Sequence, residues 1–244
     1  IIPLCGIGKR FSDAGYDKIK PMIKVNGKAI LSYPLDNILN SKIESLDIYL
    51  IINDNVESFG FTNYVIRLYY NYFGNNSDKR IRVININDFT DGACHTVLHG
   101  LNRIENRRFD RTLIIDGDNF YNIDIVNIFD KCENNGLLYF EDNDNDEKFS
   151  YLEMNEDLLI KKIVEKEKIS SHANCGSYFF SNFEVLKNYC KKVIEDNIRY
   201  KDEYYMSCVV QLMLENGFKF NGYQVELDEY LSLIHISEPT RRTP

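Results

Sequence analysis

The chain has 244 residues, a formal net charge of −8, 17 Tyr and 15 Phe. This length can bury a substantial core in one large domain or two small ones, and the aromatic content argues against intrinsic disorder. The negative charge argues against a protein that binds nucleic acid through its overall field, although a local basic site can still hold a small anion. No apolar run approaches the roughly 18–20 residues of a membrane span, so we expect no membrane partner.

Strand-like and helix-like segments alternate through the first 141 residues. Apolar runs of strand length lie at residues 1–5, 47–52, 81–86, 111–116 and 136–141, and helical patterns begin at Ser32 and Gly92. Continuous apolar strands separated by helices indicate a mostly parallel sheet that is covered on both faces. We therefore predict an α/β fold, Rossmann-like, with three α/β/α layers and a mixed, mostly parallel central sheet. Right-handed crossovers place the loops after these strands along one edge, where such sheets usually bind ligands.

The pattern changes after residue 141. The stretch EDNDNDEKF is acidic and is typical of a solvated loop or hairpin. Further strands are predicted at 149–154, 158–165, 174–181 and 218–227, and helices at 183–196 and 202–216. The sequence shows no internal repeat and no clear linker, so we expect one domain over residues 1–231.

The last stretch, SLIHISEPTRRTP, fits neither the composition nor the pattern that precedes it. It resembles the translated adapter read-through that conceptual translations sometimes carry. We expect residues 232–244 to be a non-native or disordered tail and the domain to be truncated at its C-terminus.

Six cysteines are scattered along the chain without CxxC pairs. Secreted disulfide frameworks and zinc sites show tighter clustering. The spacing therefore favours free thiols and a cytoplasmic protein.

The loop after the first apolar run carries the first chemical signal. Gly6-x-Gly8-x-Arg10 places flexible backbone at the end of a strand, where amide groups can turn toward a phosphate. Lys9, and then Lys18 and Lys20, add cationic donors, and a nucleoside triphosphate with about four negative charges needs several of them. The spacing matches neither the dinucleotide fingerprint nor a P-loop. On the two glycines alone, a solvated basic loop is an equally good interpretation.

A longer string gives this loop a family context. PLCGIGKRF followed by KPMIKVNGKAILSYPLDNI resembles the opening signature of the sugar-nucleotide nucleotidyltransferases, the nucleotide-sugar pyrophosphorylases. The resemblance implies that Lys20 contacts a phosphate. It also implies a nucleotide-binding loop made of Cys5, Gly6, Gly8, Lys9 and Arg10.

The opening string departs from the family pattern twice. Cys5 stands where the family prefers alanine, and Ala29 replaces the usual proline, which slightly loosens a turn.

Two further segments extend the resemblance on the nucleotide side. DGACHTVLHGL is similar to the family segment that approaches the nucleobase, which implies this role for Gly92, Ala93 and Cys94; by itself it also fits a packed helix start. LIIDGDNF carries the family's Gly-Asp pair. The resemblance implies a nucleotide contact at Gly117 and a Mg²⁺ ligand at Asp118, because Mg²⁺ takes oxygen ligands and bridges phosphates.

Other carboxylates near this point have open roles. Asp116 is either a second metal ligand or a structural hydrogen-bonding residue, and Asp124 is expected to cap the following helix. Near the end of the chain, Glu226 and Asp228 are candidates for the family's second metal aspartate. The role of Asp228 stays open, because the Gly-Thr motif that often follows this aspartate in relatives is absent.

The acceptor side rests on IVEKEKISSHANCGSYFFS, which resembles the family's V-E-K and N-x-G segments. The resemblance implies that Glu165, Lys166, Asn174 and Gly176 bind the sugar and its phosphate. Outside that context, the charged run is typical of a solvated strand end.

The resemblance implies that NMP passes from an NTP to a sugar 1-phosphate, or to a similar phosphorylated acceptor, and that pyrophosphate is released. Arg10, Lys20 and a Mg²⁺ ion on Asp118 would hold two anions in line and neutralise charge at the phosphorus centre. The base and the acceptor stay open, and a homo-oligomer is compatible with the family.

Two other functions remain open. A GT-A-like glycosyltransferase would use Asp116-x-Asp118 as a metal motif and would consume a nucleotide sugar. A nucleotide-binding module would keep the fold without turnover. The basic loop favours the nucleotidyltransferase, because a triphosphate needs more cationic support than a diphosphate.

Overall fold

The computed structural model describes residues 1–6, 8–74, 77–105, 108–144 and 147–232. Residues 233–244 lie outside this description, so the predicted tail stays a prediction beyond Ser232. Ile7 in the predicted phosphate loop also lies outside it, as do the side chains of Lys9 and Arg10.

The strands of the described residues are β1 (Ile2–Pro3), β2 (Lys24–Val25), β3 (Lys28–Ala29), β4 (Leu46–Ile52), β5 (Lys79–Asn85), β6 (Thr112–Ile115), β7 (Asn119–Tyr121), β8 (Asn135–Glu141), β9 (Ser150–Met154), β10 (Ile160–Glu165), β11 (His172–Phe180), β12 (Phe220–Gln224) and β13 (Tyr230–Ser232). The helices are α1 (Lys9–Asp13), α2 (Ser32–Leu39), α3 (Asp54–Glu57), α4 (Phe61–Leu68), α5 (Ala93–Arg103), α6 (Ile125–Asp130), α7 (Phe183–Glu195) and α8 (Met206–Glu215), with 3₁₀ turns at Lys20–Met22 and Tyr70–Tyr72.

The central sheet is mostly parallel, as the alternating pattern predicts. Strands β1, β4 and β5 pair in parallel, and β1 continues onto β6 because Ile1 N donates to Leu113 O and Ile115 N donates to Ile1 O. Strand β11 runs antiparallel between β6 and β8, and β12 pairs with β8 in parallel. The order across the sheet is therefore β5-β4-β1-β6-β11-β8-β12.

The residues of β8 show why the fold has three layers. All but the last are buried, and successive side chains point to opposite faces of a strand. Leu138 and Phe140 join the core beneath α2, α4 and α6. Leu137 and Tyr139 join the core beneath α5, α7 and α8. A strand buried on both faces reads as a continuous apolar run, which is the pattern seen in the sequence.

Several boundaries are narrower than predicted. The first strand covers only Ile2–Pro3 instead of residues 1–5. The strand predicted at 218–227 is the shorter β12, Phe220–Gln224. Helix α8 begins at Met206 instead of residue 202, because Tyr200 and Glu203 form a short antiparallel bridge first. The cap prediction is confirmed, since the Asp124 carboxylate accepts from the Asn127 amide at 3.0 Å before α6.

Two further strand pairs bear on the site, one joined to the central sheet and one that forms a separate two-stranded sheet. Strands β9 and β10 form an antiparallel pair, and β9 joins β11 at Ala173, beyond the end of β6. Strand β7 pairs with β13 across more than a hundred residues, which no local pattern indicates. Among the described residues, no helix has the length and apolar character to cross a membrane.

Candidate active site

The ligand edge of the sheet brings the first basic segment to the Gly-Asp turn. Lys20, in the 3₁₀ turn after α1, donates from Nζ to Asp118 Oδ2 in the turn after β6, across 98 positions of sequence. The two side chains are 33% and 23% exposed, so the ion pair still faces solvent. The cationic and anionic residues that the sequence places in separate motifs thus meet at one point.

The glycines around this pair allow close packing. Gly8 has φ +63° and lies against Lys20, whose Cβ is 3.6 Å from the position of a Cβ on Gly8. A Cβ on Gly117 would lie 2.5 Å from Leu4 Cδ2, so the Gly-Asp turn packs directly on the end of the first strand segment. Gly6 is exposed and has open space around it.

The Cys5 side chain packs into the core with Ile51 and Ile86. It is buried, its Sγ lies 3.7 Å from Ile51 O, and burial raises the pKa of the thiol to about 11. Any contact of Cys5 with a nucleotide would therefore come from its backbone.

Asp116 lies beside the ion pair in an electrostatically unfavourable setting. Protein encloses its carboxyl group on most sides, and this desolvation, followed by the charges of Asp118 and Glu165, raises its pKa to about 8. Lys20 opposes the shift. The backbone amide of Asp116 donates to Gly176 O at 2.9 Å, which ties the Gly-Asp turn to β11. A cation placed next to Asp116 and Asp118 would favour their ionised forms.

The chemistry of these donors fits Mg²⁺. The described residues contain no cluster of three or more His, Cys, Asp or Glu side chains that could hold a metal ion. Mg²⁺ does not need such a cluster, because it commonly binds one or two carboxylates and completes its shell with water and substrate phosphates. Asp118 and Asp116 offer carboxylates of this kind.

Asp228 is exposed in the turn that leads into β13. This turn is held near the Gly-Asp turn, because the Asn122 amide donates to Glu229 O at 2.8 Å and β13 pairs with β7, which begins directly after Asp118. A role for Asp228 as a second metal ligand stays a prediction.

The E-K pair is not a solvated strand end. Glu165 ends β10 and is only 9% exposed, and its Oε2 accepts from two serine hydroxyls. Lys166 follows with φ +50°, and its Nζ donates to Tyr205 OH at 2.6 Å and lies 3.9 Å from Glu165 Oε1. Because the charge of Glu165 also raises the pKa of Asp116, the predicted acceptor and metal residues lie within electrostatic reach of each other.

A β-bulge shapes the N-x-G segment. The register of β11 shifts between Asn174 and Tyr178, and Gly176 within it has φ +67°. Asn174 Oδ1 accepts from the Gly176 amide at 2.6 Å, and Asn119 Nδ2 donates to Cys175 O at 2.7 Å. Bulges of this kind are common next to active sites, where they redirect the chain.

The start of α5 is packed against the segment before α8. Gly92 has φ +106°, and a Cβ there would lie 2.7 Å from Tyr204 O. The Cys94 amide donates to Tyr204 O at 2.9 Å, and the Cys94 side chain is wholly buried. Ala93 is half-buried at the first position of the helix. These contacts describe a packed helix start, and a contact of these residues with the nucleobase stays a prediction.

Sequence reasoning missed the segment that serves both sides of the site. Tyr204 supports Gly92 and Cys94, Tyr205 binds Lys166, and Ser207 binds Glu165. The sequence places these residues inside a predicted helix of 202–216, where nothing distinguishes them from packing residues.

The cysteines give a direct test of burial. A pKa near 11 instead of 9 lowers the thiolate fraction of Cys5 at pH 8 about 100-fold. Burial also raises the pKa of Cys132, Cys175 and Cys208, and a hydrogen bond with Cys190 followed by burial raises that of Cys94. We expect a thiol reagent at pH 8 to label the native chain slowly, beginning at the partly exposed Cys208, and to titrate six thiols after unfolding. Rapid labelling of all six in the native state would contradict this packing.

A cavity of about 580 Å³ lies outside the candidate active site. It is lined by residues at the amino ends of the strands, such as Leu46 of β4 and Thr112 of β6, and by Phe129 and Phe183. Since Lys20, Asp118 and Glu165 lie at the opposite edge of the sheet, this cavity is not part of the candidate site.

Comparisons with known proteins show the family to which the chain belongs. The family model of the nucleotidyl transferases matches residues 1–223. The bifunctional protein GlmU of Methanococcus maripaludis is 28% identical over 229 residues, which cover 91% of this chain and 49% of that protein. The chain thus spans about half the length of this curated relative.

Solved structures share the fold. The nucleoside-diphosphate-sugar pyrophosphorylase from Vibrio cholerae RC9 matches with a TM-score of 0.80 at 17% identity, over 95% of this chain and 93% of that one. The CTP:phosphocholine cytidylyltransferase from Streptococcus pneumoniae matches with a TM-score of 0.70 at 16% identity, over 95% and 91%. The family match covers Lys20, Asp118 and Glu165, and the chain belongs to the nucleotidyl transferase family.

Proposed function

We propose that this chain is a Mg²⁺-dependent nucleotidyltransferase that transfers NMP from an NTP to a sugar 1-phosphate or a similar phosphorylated acceptor. The observation that carries the proposal is the meeting of Lys20 with Asp118 at the ligand edge, beside Asp116 and within electrostatic reach of Glu165. Family membership supports nucleotidyl transfer. The acceptor class draws further support from the sugar and choline phosphate enzymes of this fold.

The reaction needs no nucleophile from the protein. An oxygen of the acceptor phosphate, already an anion at neutral pH, attacks the α-phosphorus of the NTP. The new P–O bond forms as the bond to the bridging oxygen breaks, and pyrophosphate leaves. Catalysis then consists of holding two anions in line and compensating their charge.

The residues of this chain divide that work. The loop of Gly6, Gly8 and Arg10 would hold the triphosphate, with Lys20 on a phosphate. Asp118 would hold Mg²⁺, which compensates phosphate charge when it is bound. Glu165 would orient acceptor hydroxyls, and Lys166 would lie near the acceptor phosphate.

The cysteines bear on the cellular compartment. The six cysteines are unpaired, which supports a reducing cytoplasm. A homo-oligomer stays a prediction that light scattering would test.

The test is a pyrophosphate assay. The purified chain is incubated with Mg²⁺, each of the four NTPs in turn and a pool of sugar 1-phosphates. We expect release that requires both one NTP and the pool, which would identify the base as well. A parallel incubation supplies nucleotide sugars instead, and their consumption without pyrophosphate would support the glycosyltransferase. Nucleotide binding without release of pyrophosphate would support the binding module.

A further inference from the structure

Glu165 is held by two hydroxyl groups from separate elements. Ser150 Oγ donates to Glu165 Oε2 at 2.5 Å, and Ser207 Oγ donates to the same oxygen at 2.7 Å. Ser150 is the direct cross-strand partner of Glu165 in the β9–β10 pair, and Ser207 lies in the first turn of α8. We call these two residues the serine clamp.

The serine clamp is an enclosed arrangement. Ser150 is 7% exposed, Ser207 2% and Glu165 9%. A buried carboxylate is costly unless its oxygens are hydrogen-bonded, so the clamp stabilises this side chain in one place. Rotation of the carboxyl group would break both bonds at once.

The clamp acts on one oxygen only. Among the described residues, no hydrogen bond reaches Glu165 Oε1, and the nearest cation, Lys166 Nζ, lies 3.9 Å away and donates to Tyr205 OH. The Oε1 atom of an ionised carboxylate can only accept. The two bonds to Oε2 thus fix the direction of Oε1, whose capacity to accept is unused among the described residues.

We propose that Ser150 and Ser207 are positioning residues that aim Glu165 Oε1 at a hydroxyl group of the acceptor. The acceptor would then be a phosphate monoester with a hydroxyl group that donates to Oε1, close to Lys166. This inference rests on the proposed function. It adds that recognition of the acceptor hydroxyl depends on two side chains that need not touch the acceptor.

The test compares kinetics and binding of the acceptor that supports pyrophosphate release. A hydrogen bond to a charged group is worth on the order of a tenfold change in an equilibrium constant. We expect Ser150→Ala and Ser207→Ala each to raise the acceptor KM about tenfold and to leave the NTP KM unchanged. Ser207→Thr keeps the hydroxyl group and should therefore have the wild-type KM for the acceptor. Titration calorimetry with the same acceptor should show the same weakening.

A second measurement separates positioning from general damage. A deoxy analogue of the acceptor, which lacks the hydroxyl group that Oε1 reads, should bind wild type and Ser207→Ala equally. In a Glu165→Gln background, Ser207→Ala should add much less than it does alone, because the two changes interrupt one interaction. Ser181→Ala, which removes an exposed hydroxyl beyond the far end of β11, is the matched control and should leave both KM values unchanged.

The outcomes distinguish the inference from the function on which it rests. If wild type shows neither pyrophosphate release nor acceptor binding, the proposed function fails and the inference fails with it. If wild type is active but both alanine variants keep the acceptor KM, the inference alone is wrong. A parallel rise of the acceptor KM and the NTP KM would likewise overturn it.

Discussion

Asp118→Ala is expected to remove Mg²⁺-dependent turnover while leaving the fold intact. Asp118 is the partly exposed carboxylate in the turn after β6, directly paired with Lys20. Without it, the cation that compensates the phosphates would lose its leading ligand and Lys20 would lose its orientation. Removing one electrostatic contribution to a transition state commonly costs about 10²–10³-fold in kcat, and this change removes two. We therefore expect a loss of about 10³-fold or more in pyrophosphate release.

Stability should barely respond to the same change. The Lys20–Asp118 pair faces solvent, and exposed ion pairs contribute about 0–1 kcal/mol to the free energy of unfolding. The free energy of unfolding of Asp118→Ala, measured with denaturant, should thus lie within about 1 kcal/mol of the wild-type value. Asp157→Ala, in an exposed turn between β9 and β10, is the control and should keep full activity. Addition of EDTA, which removes Mg²⁺, should abolish pyrophosphate release by both the wild type and this control. An active Asp118→Ala enzyme would remove Asp118 from the mechanism.

Gly176→Ala is expected to damage both stability and activity. Gly176 has φ +67° in the bulge of β11, and a Cβ there would lie 2.3 Å from Asp116 Oδ2 and 2.3 Å from Asn119 Nδ2. Asn119 is buried and donates to Cys175 O, so its amide cannot move aside without losing that bond. Backbone strain and displacement of two polar groups together should cost about 3 kcal/mol in the free energy of unfolding. Because Asp116 is displaced, pyrophosphate release should fall further than the folded fraction does.

Gly60 is a closely matched control. It has the same φ of +67°, and no atom lies within 4 Å of the position of its Cβ. Gly60→Ala should show the backbone strain alone, about 1 kcal/mol, with activity retained. Urea unfolding of the two variants measures the difference. Equal losses at the two positions would mean that the contact with Asp116 and Asn119 contributes nothing.

Local pattern accounts for most of the fold. The run GLLYFE predicts β8 because both faces of that strand are buried, so that nearly every residue in it is apolar. This pattern can be recognised without knowing which strands pair with β8. Asp124 predicts a helix start because its carboxylate caps an amide three residues on. Where β12 and α8 came out shorter than predicted, the boundary depends on a pairing that local propensity does not encode.

The candidate site, like the fold, has features that local sequence predicts and features that depend on tertiary packing. The sequence by itself determined the α/β class, the positions of the main strands along the chain, and the Gly-Asp turn and basic loop at strand ends, because periodicity and strand-end chemistry are local properties. Only the tertiary structure decided that Lys20 meets Asp118, that β7 pairs with β13, and that Ser150 and Ser207 hold Glu165. The partner of a side-chain hydrogen bond depends on which distant segments the packed core brings within about 3 Å, and no spacing along the chain carries that information.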